Sequence, residues 1–374
     1  MNSKFYSIFN YFFVALLVLN AKANAQDSTF GKWMVEARVN YGFVIAHRPA
    51  IVHLQTAHVF GLEAGFFRTT NGEKDWQQAY DRPLTGIGFQ YFKLGDDKEL
   101  GSAFTLFPQV LFPLIHSPHL LLSTRAGCGI SYIEKTFDRL DNYKNVAIGT
   151  HVNCVITFGV YARAWVRHHT QVVSGIEFTH TSNGGFKVPN LGLNMPTLNI
   201  GVSHFFGKKE GLFPSRKIKT PHTTIIELLI AGGMKEVIPP EGKKHGVCTL
   251  TGTISKSIST KSNLGIGLDA FYDHSIGARL KFDNPDVPQF SYSTRYGIHV
   301  TYEMKMGKLS MLFENGIYFL QHLQTDGSIY TRLCLRYHFS QRYFACLNLK
   351  SHFGKADYFE YGIGMRLKHN SSAK

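Results

Sequence analysis

The stretch Trp33-Met34-Val35-Glu36-Ala37-Arg38-Val39-Asn40-Tyr41-Gly42-Phe43 alternates without a break. Trp33, Val35, Ala37, Val39, Tyr41 and Phe43 share one face, and Met34, Glu36, Arg38, Asn40 and Gly42 share the other. Period two sustained this far specifies a strand about twice as long as the usual 5–6 residues of a globular protein. The pattern returns late in the chain, where Ile329, Thr331, Leu333, Leu335, Tyr337 and Phe339 oppose Tyr330, Arg332, Cys334, Arg336 and His338. Leu309, Met311, Phe313, Asn315, Ile317 and Phe319 make a third instance. Long strands with one apolar and one polar face suit either a soluble sandwich or a membrane barrel. Alternating segments of about ten residues, with Tyr and Phe near their ends, favour the barrel. Arg and His on the opposite face suit a wet or polar lumen.

The same reading predicts strands over 56–68, 84–93, 102–114, 119–133, 147–161, 171–182 and 194–206, then 223–237, 246–258, 262–272, 293–306, 309–321, 328–339, 342–352 and 358–367. Gly, Pro, Asp and Lys collect in the intervening loops. Such barrels carry even strand numbers, so the expected fold is all-β, an antiparallel transmembrane β-barrel of about 14–16 strands. One connection, 206–221, is rich in Lys and Gly and divides the chain almost in half. It leaves a second arrangement open, an eight-stranded barrel followed by a second β unit.

Composition agrees with a β protein and excludes two other classes. Of 374 residues, 44% are hydrophobic, which is too much apolar surface for a disordered chain. Past the N-terminus no apolar run is long enough for a membrane helix. At the N-terminus, Lys4, the run Phe12-Phe13-Val14-Ala15-Leu16-Leu17-Val18-Leu19 and the small residues Ala23-Asn24-Ala25 predict a signal peptide over 1–25. The exported chain would then be 26–374. The five cysteines, Cys128, Cys154, Cys248, Cys334 and Cys346, show no metal-ligand or redox spacing. Cys334 and Cys346 flank a turn at Ser340-Gln341 and read as a hairpin disulfide or as two buried thiols.

Chemistry concentrates in 175–206, which reads G-I-E-F-T-H-T-S-N-G-G-F-K-V-P-N-L-G-L-N-M-P-T-L-N-I-G-V-S-H-F-F. On its first strand Ile176, Phe178, His180 and Ser182 fall on one face, with Glu177, Thr179 and Thr181 on the other. On its second strand Asn194, Leu198, Ile200 and Val202 share an apolar face. His and Ser at i and i+2 stand about 7 Å apart at Cα, so their side chains can approach as a general base and a nucleophile must. The bland reading is a strand end capped at an aqueous rim. If 171–182 and 194–206 are antiparallel neighbours, Asn194 arrives beside His180 and Ser182. All three would then face outward while Glu177, Thr179 and Thr181 point inward.

The longer pattern H-T-S-N-G-G-F-x-x-P-N-x-G-x-N resembles the active-site stretch of the outer-membrane lipid A deacylases, the PagL-type acyloxyacyl hydrolases. N-V-A-I-G-T-H-V-N at 145–153 also resembles members of that family, and the resemblance covers about 145–206. It implies that His180 is the general base and Ser182 the nucleophile on an ester carbonyl. Asn183, Gly184 and Asn190 would supply oxyanion donors and the turn that holds them. The family's third member is commonly Glu, and here the position is Asn194, which can fix the imidazole tautomer but brings no negative charge. The implied protein is an ester hydrolase of the outer membrane, with no cofactor and no metal. Its partners would be lipid A or lipopolysaccharide and the surrounding outer-membrane lipids. Residues 207–367 lie beyond what the smaller, eight-stranded members explain.

The remaining candidates are weaker. Glu227, Lys235, Glu236 and the run Asp273-His274-Ser275 lack a catalytic spacing, because adjacent strand residues face opposite ways. The formal charge of +14, or +12 after removal of 1–25, has no nucleic-acid motif attached to it. The clusters Lys208-Lys209, Arg216-Lys217-Lys219 and Lys243-Lys244 read as solvated loops or as a rim that meets lipid A phosphates. A non-catalytic outer-membrane barrel, a channel or assembly protein that keeps the motif structurally, is the competing function.

Overall fold

The computed structural model describes residues 31–370, apart from 118–119, 209, 217, 219, 221–222, 238–239, 241, 284–285, 287 and 323–326. The expected signal peptide lies outside the described residues. Sixteen strands form two closed antiparallel barrels of eight. The first comprises β1 (Trp33–Gly42), β2 (Val59–Arg68), β3 (Leu84–Lys93), β4 (Ser102–His116), β5 (Leu120–Ile133), β6 (Val152–Arg167), β7 (Thr170–Ser182) and β8 (Leu193–Phe206). The second comprises β9 (Thr223–Glu236), β10 (Lys244–Ser257), β11 (Ser262–Asp273), β12 (Thr294–Met306), β13 (Leu309–Leu320), β14 (Ile329–His338), β15 (Tyr343–His352) and β16 (Lys355–Asn370). The total matches the expected strand number. Of the two arrangements left open, the division into an eight-stranded barrel and a second β unit is the one adopted.

Each barrel closes by pairing its first and last strands, β1 with β8 and β9 with β16. Closure removes the unpaired edges that an open sheet would leave. The chain neighbours otherwise pair in sequence as hairpins. Several predicted strand boundaries shift, most of all at β6, which runs 152–167 where 147–161 was expected. Residues 147–151, read as strand, form a loop in which the Asn145 side chain accepts the Ile148 N–H at 3.1 Å and donates to the Glu99 carbonyl at 2.9 Å. An unread helix, His274–Asp283, follows β11. Among the described residues no helix is long and apolar enough to cross a membrane.

The polarity of both barrels is inverted relative to a soluble protein. Along β1 the outward Val35 and Val39 are exposed, while the inward Glu36, Arg38 and Asn40 are buried. Inside the first barrel, Glu36, Glu63 and Glu177 meet Arg38, Arg125 and Arg163. The Tyr161 hydroxyl donates to Glu177 at 2.6 Å, and the Gln90 amide donates to Glu177 at 2.5 Å. Charges at such depth persist only when paired and hydrogen-bonded. Apolar clusters flank this network along the barrel axis. One gathers Leu193, Met195 and Phe92 with the loop residues Ile51, Leu54 and Ile148. The other gathers Met34, Phe67, Leu111, Tyr161, Val173 and Phe205. A Cβ on Gly159 would stand 2.3 Å from the Tyr161 hydroxyl oxygen, so glycine there leaves the ring its place. The expected polar lumen is thus present and packed. The second barrel has its own network, in which Arg332 meets Asp269 at 2.7 Å and Arg336 meets Glu227 at 2.7 Å.

Candidate active site

β7 and β8 form a hairpin whose register sets His180 directly opposite Asn194 and Thr181 opposite Leu193. Directly opposed strand residues hold their Cβ atoms about 4.5–5.5 Å apart, within reach of a side-chain hydrogen bond. His180 Nδ1–H donates to Asn194 Oδ1 at 2.7 Å. Ser182, two residues on along the same face, donates its hydroxyl to His180 Nε2 at 3.2 Å. Hydroxyl, imidazole and amide thus stand in one line on the outer wall, with exposed Ile176, Leu198, Ile200 and Val202 on the same faces. Ser182 is 3% exposed and Asn194 7%. Glu177, Thr179 and Thr181 point inward, and Glu177 is committed to the lumenal network, so it cannot serve His180.

The two ends of the loop between the strands are held close to this line. Asn183 N–H donates to Asn190 Oδ1 at 3.1 Å, which closes the turn across seven residues. Gly184, directly after Asn183, has φ +62 and Gly185 has φ +81, the left-handed region in which glycine carries no Cβ penalty. Gly192, with φ +77, donates its N–H to the Ala147 carbonyl at 2.9 Å. A Cβ there would lie 3.0 Å from His180 Cε1 and 3.4 Å from Ser182 Cβ. Gly192 was not singled out in the sequence, although it stands within the quoted pattern. Gly192→Ala is therefore expected to displace the imidazole and to slow any reaction that uses the hydroxyl–imidazole pair by about tenfold or more, since misplacement by about 1 Å costs up to about a hundredfold. Initial-rate measurements with the detergent-solubilised variant check this, and an unchanged rate would show that the ring tolerates the added methyl.

A fourth residue joins the line from far away in sequence. The ladder between β1 and β8 runs on past Gly42, with Phe43 N–H donating to the Pro196 carbonyl at 3.4 Å and Ile45 N–H to the Asn194 carbonyl at 2.8 Å. The chain then turns, and His47 N–H donates to the Ile45 carbonyl at 2.9 Å. This sets the His47 ring against the Asn194 side chain, with Nδ1 3.0 Å from Asn194 Nδ2 and Nε2 3.0 Å from the Leu191 carbonyl oxygen. Burial pushes the His47 imidazole below its ordinary pKa, and Arg48 beside it acts in the same direction.

Of the other sequence candidates, Lys235, Asp273 and Ser275 are brought together, but with no histidine in hydrogen-bond contact with the Ser275 hydroxyl among the described residues. Ser275 and Lys235 both bond Asp273, at 2.5 and 2.7 Å, while His274 turns to His245 at 3.1 Å. Glu227 is a lumenal partner of Arg336 and Arg366, and Glu236 pairs with Lys244 at 2.5 Å. All five cysteines are free, and Cys334 pairs in register with Asn348 and not with Cys346. Of the basic clusters, Lys208 and Lys243 are exposed, and Arg216 meets Asp75 at 2.5 Å; Lys209, Lys217 and Lys219 lie outside the described residues.

Fold and site together describe an inside-out β-barrel with a serine, histidine and amide aligned on its outer wall. Residues 60–203 match the family model described as lipid A 3-O-deacylase (PagL), and residues 224–369 match the one described as acyloxyacyl hydrolase, C-terminal domain. Together the matches span more than half of the chain, which belongs to the PagL-type family of lipid A deacylases. The second barrel, left unexplained by the motif, is thus matched almost throughout by the model of that C-terminal domain. No curated protein matches the chain. Among solved structures, Neisserial surface protein A is similar at 10% identity, covering 48% of this chain and 100% of its own, with a TM-score of 0.34. CdiB from Acinetobacter baumannii is similar at 10% identity over 90% of this chain and 60% of its own, with a TM-score of 0.20. The siderophore receptor PirA from Pseudomonas aeruginosa is similar at 10% identity over 92% and 81%, with a TM-score of 0.19.

Proposed function

We propose that the protein is an outer-membrane ester hydrolase that removes an ester-linked acyl chain from lipid A by a Ser182–His180 mechanism. The carrying observation is the aligned set Ser182 Oγ, His180 Nε2 and Nδ1, and Asn194 Oδ1, at 3.2 and 2.7 Å. Membership in a family named for lipid A deacylation supports the substrate, and the 3-O position in the family description is the first ester to examine. Exposed Ile and Leu around the barrel wall support the membrane setting.

In this mechanism His180 Nε2 takes the Ser182 proton as Oγ attacks the ester carbonyl carbon. The tetrahedral intermediate collapses when the same imidazole protonates the sugar oxygen, which leaves as a hydroxyl. Water then attacks the acyl-Ser182, again through His180, and the fatty acid departs. Asn194 holds the Nδ1–H tautomer throughout. Asn183, Gly184 and Asn190 form the turn beside Ser182 and are assigned to orient the oxyanion donors. The outward placement suits a lipid, whose chains can reach the site without passing through water at about 0.8 kcal/mol per CH₂. The packed lumen of the first barrel tells against the channel alternative.

Purified protein in mixed detergent micelles is expected to release one fatty acid per lipid A. In H₂¹⁸O the label should enter the fatty-acid carboxyl group and not the freed sugar hydroxyl. No release from any acylation pattern tried, or label on the sugar, contradicts the reading.

A further inference from the structure

We propose that His47 is a positioning residue that fixes the orientation of the Asn194 amide, and so lets an amide, in place of a carboxylate, hold the His180 tautomer. The inference rests on the serine–histidine reading above. It begins from a difference between the two side-chain types. A carboxylate presents an acceptor with either oxygen, whereas an amide presents an acceptor at one end and a donor at the other.

For Ser182 to lose its proton to His180, Nε2 must hold a lone pair, so the proton of the neutral ring sits on Nδ1. The atom of Asn194 facing Nδ1 at 2.7 Å must then be the oxygen. A flipped amide would set two donors against each other there, or drive the ring to the Nε2–H tautomer, which cannot accept from serine. Nothing on His180 other than that proton chooses between the two amide orientations. The other end of the amide is read by His47, whose Nδ1 lies 3.0 Å from Asn194 Nδ2. His47 Nε2 lies 3.0 Å from the Leu191 carbonyl, an obligate acceptor, so the ring proton belongs on Nε2 and Nδ1 is left as an acceptor. The 3.3 Å approach of Nδ1 to the Ile45 carbonyl is then a contact without a proton. One consistent set of donors therefore runs from Asn194 to His47 to Leu191 at one end and from Ser182 to His180 to Asn194 at the other. Closure of β1 against β8 brings this reader to the site from across the chain.

The test is a double-mutant cycle on kcat and KM for fatty-acid release from lipid A, with Asn194→Asp as the second change. Aspartate keeps the shape of asparagine but offers an acceptor in both orientations. His47→Leu alone is expected to lower kcat about tenfold or more with little change in KM, short of the roughly 10⁴-fold loss seen when a triad's third member imposes the wrong tautomer. In the Asn194→Asp background the same change should cost less than about twofold, because there is no amide left to orient. An equal loss in both backgrounds would make His47 a packing residue and overturn the proposal. So would no loss in either, or a folded Asn194→Asp protein without activity. Ring ¹⁵N NMR of the wild-type protein provides a measurement independent of how the variants fold, with His47 expected as the Nε2–H tautomer; the Nδ1–H tautomer overturns the inference. Failure of the underlying serine–histidine reading is recognised separately, by a Ser182→Ala protein that retains full activity.

Discussion

Ser182→Ala is expected to lower kcat for ester cleavage by about a thousandfold to a millionfold, and His180→Ala by a similar factor. In the proposed mechanism the two residues act on one proton: the hydroxyl is a poor nucleophile until Nε2 removes it, and the ring has nothing to deprotonate once the hydroxyl is gone. Their effects should therefore not multiply. The double variant is expected to be no slower than either single one, as in other sites where nucleophile and base work as a unit. Residual catalysis would come from binding and from the donors at the 183–190 turn. Single-turnover rates on lipid A in micelles check this, and two independent, multiplying losses would show that the pair does not share a step. Folding of each variant is checked by its mobility on unheated gels.

Arg125→Met is expected to destabilise the first barrel by about 3–5 kcal/mol, the cost of leaving buried charges without their partner. Arg125 bonds both Glu63 and Glu177 and donates to Gln109 at 3.0 Å, all in the lumen. Without it Arg38, which already meets Glu36, must also serve Glu63 and Glu177, and it stands 3.6 Å from Glu177. The methionine side chain fills much of the volume, so the loss reports the orphaned charge more than a cavity. Adding Glu177→Leu should recover part of the stability, because one of the stranded carboxylates is then removed. Urea titration of the folded band in detergent measures both changes. An unshifted midpoint for Arg125→Met would mean that the network contributes nothing net.

The strands were legible because an inside-out wall enforces period two over long runs, as from Trp33 to Gly42, where every inward position is polar, small or Met. Their partition into two barrels was legible only as the second of two arrangements, suggested by the 206–221 connection, since closure depends on the register of strands far apart in sequence, such as Trp33 opposite Phe206. That His180 and Ser182 share a face was legible from phase, but singling them out as a pair, and Asn194 as their third member, rested on the resemblance; the β7–β8 hairpin sets Asn194 opposite His180. Residues 147–151 misled because Ala147, Ile148 and their neighbours have the apolar character of a strand. They spend it in a loop cluster packed under Leu193 and Met195. His47 carried no signal at all. It stands 147 residues from Asn194 in a segment without a motif, and only the continuation of the β1–β8 ladder places it.

The central claim is that this chain cuts an acyl ester of lipid A at Ser182. Its most direct test is the mass spectrum of lipid A of defined acylation after incubation with wild-type protein and with Ser182→Ala. The wild-type protein is predicted to yield lipid A lighter by one fatty-acyl chain, with the free acid in equal amount, and Ser182→Ala is predicted to leave the starting mass intact. Unchanged lipid A with the wild-type protein, or the same loss of a chain with Ser182→Ala, would contradict it.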